Sequence, residues 1–292
     1  MQAFVFYLMK ILIFVLRIMP FRLIYVFSDF TYFILYYLVR YRRKVVVSNL
    51  HSCFPGKSAA ELEKLSKQFY HHLSDISLES IKGFSMSKKE IIRRHHLLNP
   101  DLADRYFEKG KSIICIPAHF NNWEWGSMSA GIQVKYPVVA FYKPMSNKAV
   151  DNLGKKHRSQ FNTSLASVKR TADTFSEMAK TPTGILMVAD QSPSNTKDCY
   201  WVDFLNHDTP CLHGPEKYAR LNNLPVMYVD IRKVKRGFYE LELIEITDNP
   251  AMLPDGEITR LYMNHLEQSI QKQPAFWLWS HKRWKYKREK KD

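Results

Sequence analysis

Short apolar runs separated by segments of helical period dominate the chain after residue 57. Between 57 and 98, Ser58 and Glu61 form a capping-box pair, and Leu62, Leu65, Phe69 and Leu73 follow at helical spacing. The run Ile113-Ile114-Cys115-Ile116 reads as a buried strand that Pro117 ends. Residues 138–142, 165–168, 184–189, 226–231 and 238–246 read as further strands. Residues 149–158, 171–180, 215–221 and 258–273 read as helices. Strands alternating with helices predict an α/β domain around a mixed, mostly parallel sheet flanked by helices.

Residues 1–39 follow a different pattern. They are crowded with Phe, Tyr, Leu, Ile and Val, but Lys10, Arg17, Arg22 and Asp29 interrupt them. No uninterrupted run reaches the ~20 apolar residues of a simple spanning helix. The apolar stretch also passes Pro20 without a small-residue cleavage site, unlike a secretory signal. The pattern predicts a membrane-associated anchor over 1–39. It is either one interfacial helix with its cations snorkelling to headgroups, or two short helices broken at Pro20 and packed partly on the rest of the chain. Arg40, Arg42, Arg43 and Lys44 close the segment, and the positive-inside rule puts the domain after them on the cytoplasmic side.

Charge narrows the partners. Lys and Arg number 43 against 28 Asp and Glu, a net charge of +15, which calls for an anionic partner. Nucleic acid is one such class, but no zinc-finger spacing or RNP block accompanies the charge. At the C-terminus the cations interleave with Trp and Tyr, the mixture of a lipid headgroup interface, and residues 282–292 form a basic tail. Cys53, Cys115, Cys199 and Cys211 form no CxxC pair and match no zinc spacing, so no metal is expected. The neighbouring pairs His71-His72 and His95-His96 read as polar surface positions on a helix.

The candidate chemistry stands at the end of the first strong strand. His119 follows Pro117 and Ala118, and Asn121 or Asn122 then caps a helix start that carries Glu124. Ligands gather at the carboxyl edge of such sheets. A histidine in that loop, with Glu124 reaching back from the first turn, can serve as a general base held in one tautomer. Cys115, inside the strand, reads as a core thiol rather than a nucleophile.

His119-(four residues)-Glu124 resembles the HX4(D/E) motif of glycerolipid-type acyltransferases. Other segments, in order, make the chain most similar to the lipid A late acyltransferases. These are Asn49-Leu50-His51-Ser52-Cys53-Phe54-Pro55, Tyr142-Lys143-Pro144 with Asn147, Arg158, Ala189-Asp190-Gln191, and the block from Trp277 to Lys285. The match covers about residues 1–287. The polar loop Ser192 to Asp198 departs from the family's usual version, and the FPEG block of the phospholipid branch is absent after the strand at 184–189.

The resemblance implies an inner-membrane acyltransferase domain over 40–292, facing the cytoplasm. It would move an acyl chain from a thioester, acyl carrier protein or acyl-CoA, to a hydroxyl of a phosphorylated glycolipid, with no metal or bound cofactor. His119 would be the base and Glu124 would orient its ring. Arg158 and Lys143 would bind lipid phosphate or the oxyanion, and Asp190 would position Arg158 or a substrate hydroxyl. Competing readings are a lysophospholipid or aminolipid acyltransferase, and a non-catalytic basic membrane-binding protein.

Overall fold

A computed structural model describes residues 2–178 and 180–288. Two helices, α1 (Gln2–Ile18) and α2 (Phe21–Phe33), flank Pro20, and a π-helical turn Ile34–Leu38 continues the second. Proline lacks the amide that an unbroken helix would need there. Next come α3 (Arg43–Cys53), the long α4 (Ala59–Gly83) and the short α5 (Lys88–Arg94). The capping box at the start of α4 is present: Ser58 Oγ accepts from the Glu61 amide, and Glu61 accepts from the Ser58 amide at 2.8 Å. Lys82 near the end of α4 donates to the Leu16, Arg17 and Met19 carbonyls, closing the C-terminus of α1. α2 is tied to α4 by Ser28 Oγ on Asp75 and the Tyr25 hydroxyl on Glu79.

The remaining chain gives β1 (His95–Leu97), α6 (Asp101–Glu108), β2 (Ile113–Ile116), α7 (Gly126–Gln133), β3 (Val138–Tyr142), α8 (Lys148–Arg158) and β4 (Thr163–Ser167). These are followed by α9 (Thr171–Met178), β5 (Gly184–Leu186), β6 (Cys199–Phe204), β7 (His207–Leu212), α10 (Gly214–Asn222), β8 (Val226–Lys235), β9 (Phe238–Thr247) and α11 (Glu257–Lys272). Seven strands form one sheet in the order β1-β9-β8-β2-β5-β3-β4. β8, β2, β5, β3 and β4 run parallel, and β9 with β1 runs against them. This is the mixed, mostly parallel α/β sheet that the pattern predicts.

The central strands are buried on both faces, as parallel strands under helices are. Ile114, Ile116, Val226 and Tyr228 join the core on one side. Ile113, Cys115, Met227 and Val229 join a second core on the other.

Three expectations change. The paired histidines are not all surface groups: His72 and His95 are buried, while His71 and His96 are not. His95 ends the helical stretch and opens β1, because its ring fills a buried polar slot against Ser129 Oγ (2.6 Å) and the Asn122 carbonyl (3.1 Å). A carbonyl only accepts, so Nε2 carries the proton there and Nδ1 accepts from Ser129. Burial drives the His95 pKa down to about 3, which keeps that ring neutral. The third change is an unread hairpin, β6–β7, turning at Leu205 and Asn206, both at positive φ.

Among the described residues no single helix is long and apolar enough to cross a membrane. One bent pair, Phe21–Leu38 with Arg43–Cys53 at 88°, passes by length and composition. The outward faces of α1 and α2 nevertheless expose Ile11, Phe14, Ile18, Phe27 and Phe30, the last at 63%.

Candidate active site

His119 and Asp190 follow β2 and β5, which are adjacent parallel strands, so the sheet delivers both side chains to one carboxyl edge. The turn carrying His119 is pinned from two sides. Phe120 bridges Trp277, the Asn121 amide donates to the Phe276 carbonyl, and the Leu278 amide donates to the His119 carbonyl. Asn121 sits at φ 53°, a left-handed conformation that asparagine tolerates, and its Nδ2 donates to the Ile231 carbonyl at 2.6 Å. Asn122 caps the 3₁₀ turn Trp123–Trp125 through the Trp125 amide and donates to buried Glu79 at 2.7 Å. Glu79 also accepts from the Tyr25 and Tyr239 hydroxyls, so a node in α4 fixes the loop that bears Glu124.

The carboxylate on the histidine ring is Asp190, not Glu124. His119 Nδ1 lies 2.7 Å from Asp190 Oδ1, while Asp190 Oδ2 accepts from the His119 amide at 3.0 Å and from Trp277 Nε1 at 2.8 Å. A carboxylate accepts, so Nδ1 carries a proton and, in the neutral ring, Nε2 is left bare. The Gln191 amide nitrogen sits 3.2 Å from that bare nitrogen, and the Trp123 ring packs edge-on against the imidazole.

Burial disfavours the imidazolium, but the Asp190 charge and hydrogen bond, joined by the Glu124 charge, outweigh it, and the His119 pKa is raised. Asp190 is wholly buried, which alone would raise its pKa. The His119 charge and the donors around it reverse that and hold the pKa below the usual value.

Glu124 pairs instead with Arg158, the last residue of α8: Arg158 Nη2 donates to Glu124 Oε2 at 2.6 Å. Each side chain stays a little under a third exposed. The expectation that Asp190 positions Arg158 is therefore corrected: the two carboxylates exchange partners. Sequence spacing drew His119 to the carboxylate five residues on, but sheet adjacency brings one from 71 residues away. Lys143 is exposed after β3, and its loop is held by Asp151, which accepts from the Tyr142 hydroxyl and the Met145 amide.

Beneath this polar rim runs a cavity of about 450 Å³. His119, Glu124, Arg158, Lys143 and Gln191 stand among its lining with sheet residues Cys115, Ala140, Leu186, Val229 and Leu243. Its lining is predominantly apolar, as ligand cavities of this size are. Cys115 lies in it, but burial pushes its thiol up to about 12, so it is no thiolate nucleophile. Among the described residues no group of three or more His, Cys, Asp or Glu could hold a metal ion. Sequence reading gave no role to Gln191, Trp123 or Trp277. Gln191 and Trp277 were visible only as neighbours of Asp190 and as part of the C-terminal aromatic block.

The α/β sheet thus carries a carboxylate-held histidine at its carboxyl edge, over an apolar cavity. The bacterial lipid A biosynthesis acyltransferase profile matches residues 1–286, and the chain belongs to that family. It is 22% identical over 247 residues to the lipid A biosynthesis palmitoleoyltransferase of Escherichia coli K12, covering 84% of this chain and 79% of that protein. It is 23% identical over 251 residues to the lipid A biosynthesis lauroyltransferase of the same strain, covering 85% and 80%. The Shigella flexneri lipid A biosynthesis acyltransferase matches at 22% over 247 residues, again 84% of this chain and 79% of that one. The protein is thus an acyltransferase of lipid A biosynthesis.

Proposed function

We propose that this chain moves a fatty acyl group from a thioester, carried by acyl carrier protein or by CoA, to a hydroxyl of a phosphorylated lipid A-type glycolipid. The observation that carries this reading is the bare His119 Nε2, with Nδ1–H on Asp190, at the polar end of an apolar cavity. The acyl chain occupies the cavity with its thioester carbonyl at the rim. Nε2 takes the proton of the acceptor hydroxyl as that oxygen attacks the carbonyl carbon. The tetrahedral oxyanion collapses, the C–S bond breaks, and the imidazolium returns its proton to the departing thiolate. Asp190 balances the imidazolium, and Glu124 adds a second negative charge nearby. No covalent enzyme intermediate and no cofactor are needed.

Arg158 and Lys143 supply cations at the rim for an anionic group of the substrate. Arg158→Ala separates two roles when acceptor is titrated at fixed donor. A phosphate contact raises the acceptor KM with turnover kept. An oxyanion contact instead lowers turnover, by roughly 10²–10³. The KM outcome is expected, because the Glu124 pairing leaves Arg158 partly exposed, as a headgroup contact requires. Unchanged kinetics would remove Arg158 from the substrate site.

The apolar faces of α1 and α2 would hold the enzyme at the cytoplasmic face of the inner membrane, where the acceptor lies. Because α2 also carries Tyr25 and Ser28 into the buried network of α4, deleting 1–39 would take one donor each from buried Asp75 and Glu79 along with the anchor. Phe27→Ser with Phe30→Ser is the cleaner test, since both rings are exposed. The pair should shift the protein from the membrane to the soluble fraction without lowering its melting temperature. Unaltered partition would place the anchoring elsewhere.

A further inference from the structure

A second cationic concavity lies outside the catalytic cavity, where α3 meets the C-terminal block. It encloses about 290 Å³ between Lys44, Ser48 and Asn49 on one side and Lys282, Trp284 and Lys285 on the other. No carboxylate lines it. Among the described residues none of the three lysines forms an ion pair, although many other cations in this protein do. Lys285 instead lies over the Tyr286 ring, at 4.6 Å. Like charges gathered in one recess repel one another, and a bound anion relieves that cost.

The recess is also built rather than incidental. Asn49 Nδ2 donates to the carbonyls of Trp279 (2.9 Å) and His281 (3.0 Å), and Arg42 donates to the Ser280 carbonyl, so two distant chain segments are locked together. Trp284 is fixed by its indole N–H on Thr209 Oγ1 at 2.8 Å. Its position suits a lipid. Leu38, Val39 and Tyr41, just before Lys44, are exposed. On the inner side, His281 Nε2 accepts from the Ser192 amide at 3.1 Å, two residues past the Asp190 that holds the catalytic ring.

We infer that this recess binds the phosphate of a membrane lipid, with Lys44, Lys282 and Lys285 as its cations and Ser48 as a neutral donor. A volume near 290 Å³ suits one headgroup phosphate, not the helical face of an acidic protein. The phosphate belongs either to the acceptor glycolipid, which rests on the acyl-transfer reading above, or to a bilayer phospholipid, which does not.

The test compares Lys44→Gln/Lys282→Gln/Lys285→Gln with a control of equal charge, Lys64→Gln/Lys89→Gln/Lys217→Gln, whose lysines are exposed elsewhere. Binding to phosphatidylcholine vesicles is measured with and without phosphatidic acid. Acceptor kinetics are measured with the phosphorylated glycolipid and with its phosphatase-treated form. All six positions are exposed, so both variants should melt with the parent.

If the ligand is a bilayer phosphate, the recess variant loses its preference for phosphatidic acid. The loss is about fivefold per lysine, roughly 100-fold for three, and the control does not reproduce it. If it is the acceptor's phosphate, KM rises for the phosphorylated acceptor alone, with turnover within a factor of about two. Equal losses in both variants would overturn the inference by reducing it to bulk charge. So would unchanged vesicle binding and KM. A parent inactive on either acceptor, yet preferring phosphatidic acid through the recess, would sink the acyl-transfer reading and leave the recess standing.

Discussion

Exchange of His119 for alanine is expected to leave only a trace of acyl transfer while the protein still folds, with a lowered melting temperature because buried Asp190 loses its ring partner. The ring is held at the sheet's edge by one strong side-chain hydrogen bond, to Asp190 at 2.7 Å, and removing it strips the site of its well-placed base. Positioned general bases contribute roughly 10²–10⁴ in rate, and here the same ring must also protonate the leaving thiolate. Single-turnover rates with purified donor and acceptor give the comparison. A His119→Ala enzyme within a few-fold of the parent would mean that another group takes the proton.

Asp190→Asn should be nearly as damaging, for a different reason. The carboxylate accepts from three donors at once: the His119 ring, the His119 amide and the Trp277 indole. An amide side chain offers one accepting oxygen and turns a donor towards the others. The imidazole then moves its proton to Nε2, where the base should be bare. In a serine-protease triad the same change costs roughly 10⁴ in turnover through the wrong tautomer, and a loss of that order is expected here.

The pH profile supplies an independent readout. The His119 pKa is raised in the parent, and the base works only when neutral, so kcat/KM should fall as pH drops through that raised value. Without the Asp190 charge the acid limb of the residual activity should move to lower pH. Loss of rate with no movement of that limb would assign Asp190 to the fold alone.

Glu124→Gln should cost less, because Glu124 touches Arg158 rather than the ring. This reversal shows where sequence reading stops. The β-branched run before His119 and the apolar run before Asp190 were legible as strands, and both residues were visible at strand ends. That β5 lies beside β2 depends on a sheet order in which β5 is inserted between β2 and β3, and no local spacing encodes it. Glu124, close in sequence, was the natural partner to choose, and the resemblance pointed the same way.

Three other features were hidden for comparable reasons. The β6–β7 hairpin turns at Leu205 and Asn206, φ 52° and 65°, without the Asn-Gly or Asp-Gly pair that normally marks such a turn. His95 carries no apolar signal, yet it is buried because its polar partners are, and those come from α7 and the His119 loop. The cavity was equally unreadable, since its lining draws on several strands and helices whose residues look like ordinary core.

Acyl transfer to a lipid A-type hydroxyl through the His119–Asp190 pair adds one ester-linked chain to the acceptor. Its most direct test is mass spectrometry of a phosphorylated lipid A precursor incubated with purified enzyme and acyl-loaded carrier protein of several chain lengths. The precursor is expected to gain the mass of one acyl ester with the parent enzyme and none with His119→Ala. No gain from the parent with any donor, or an equal gain from both proteins, would contradict it.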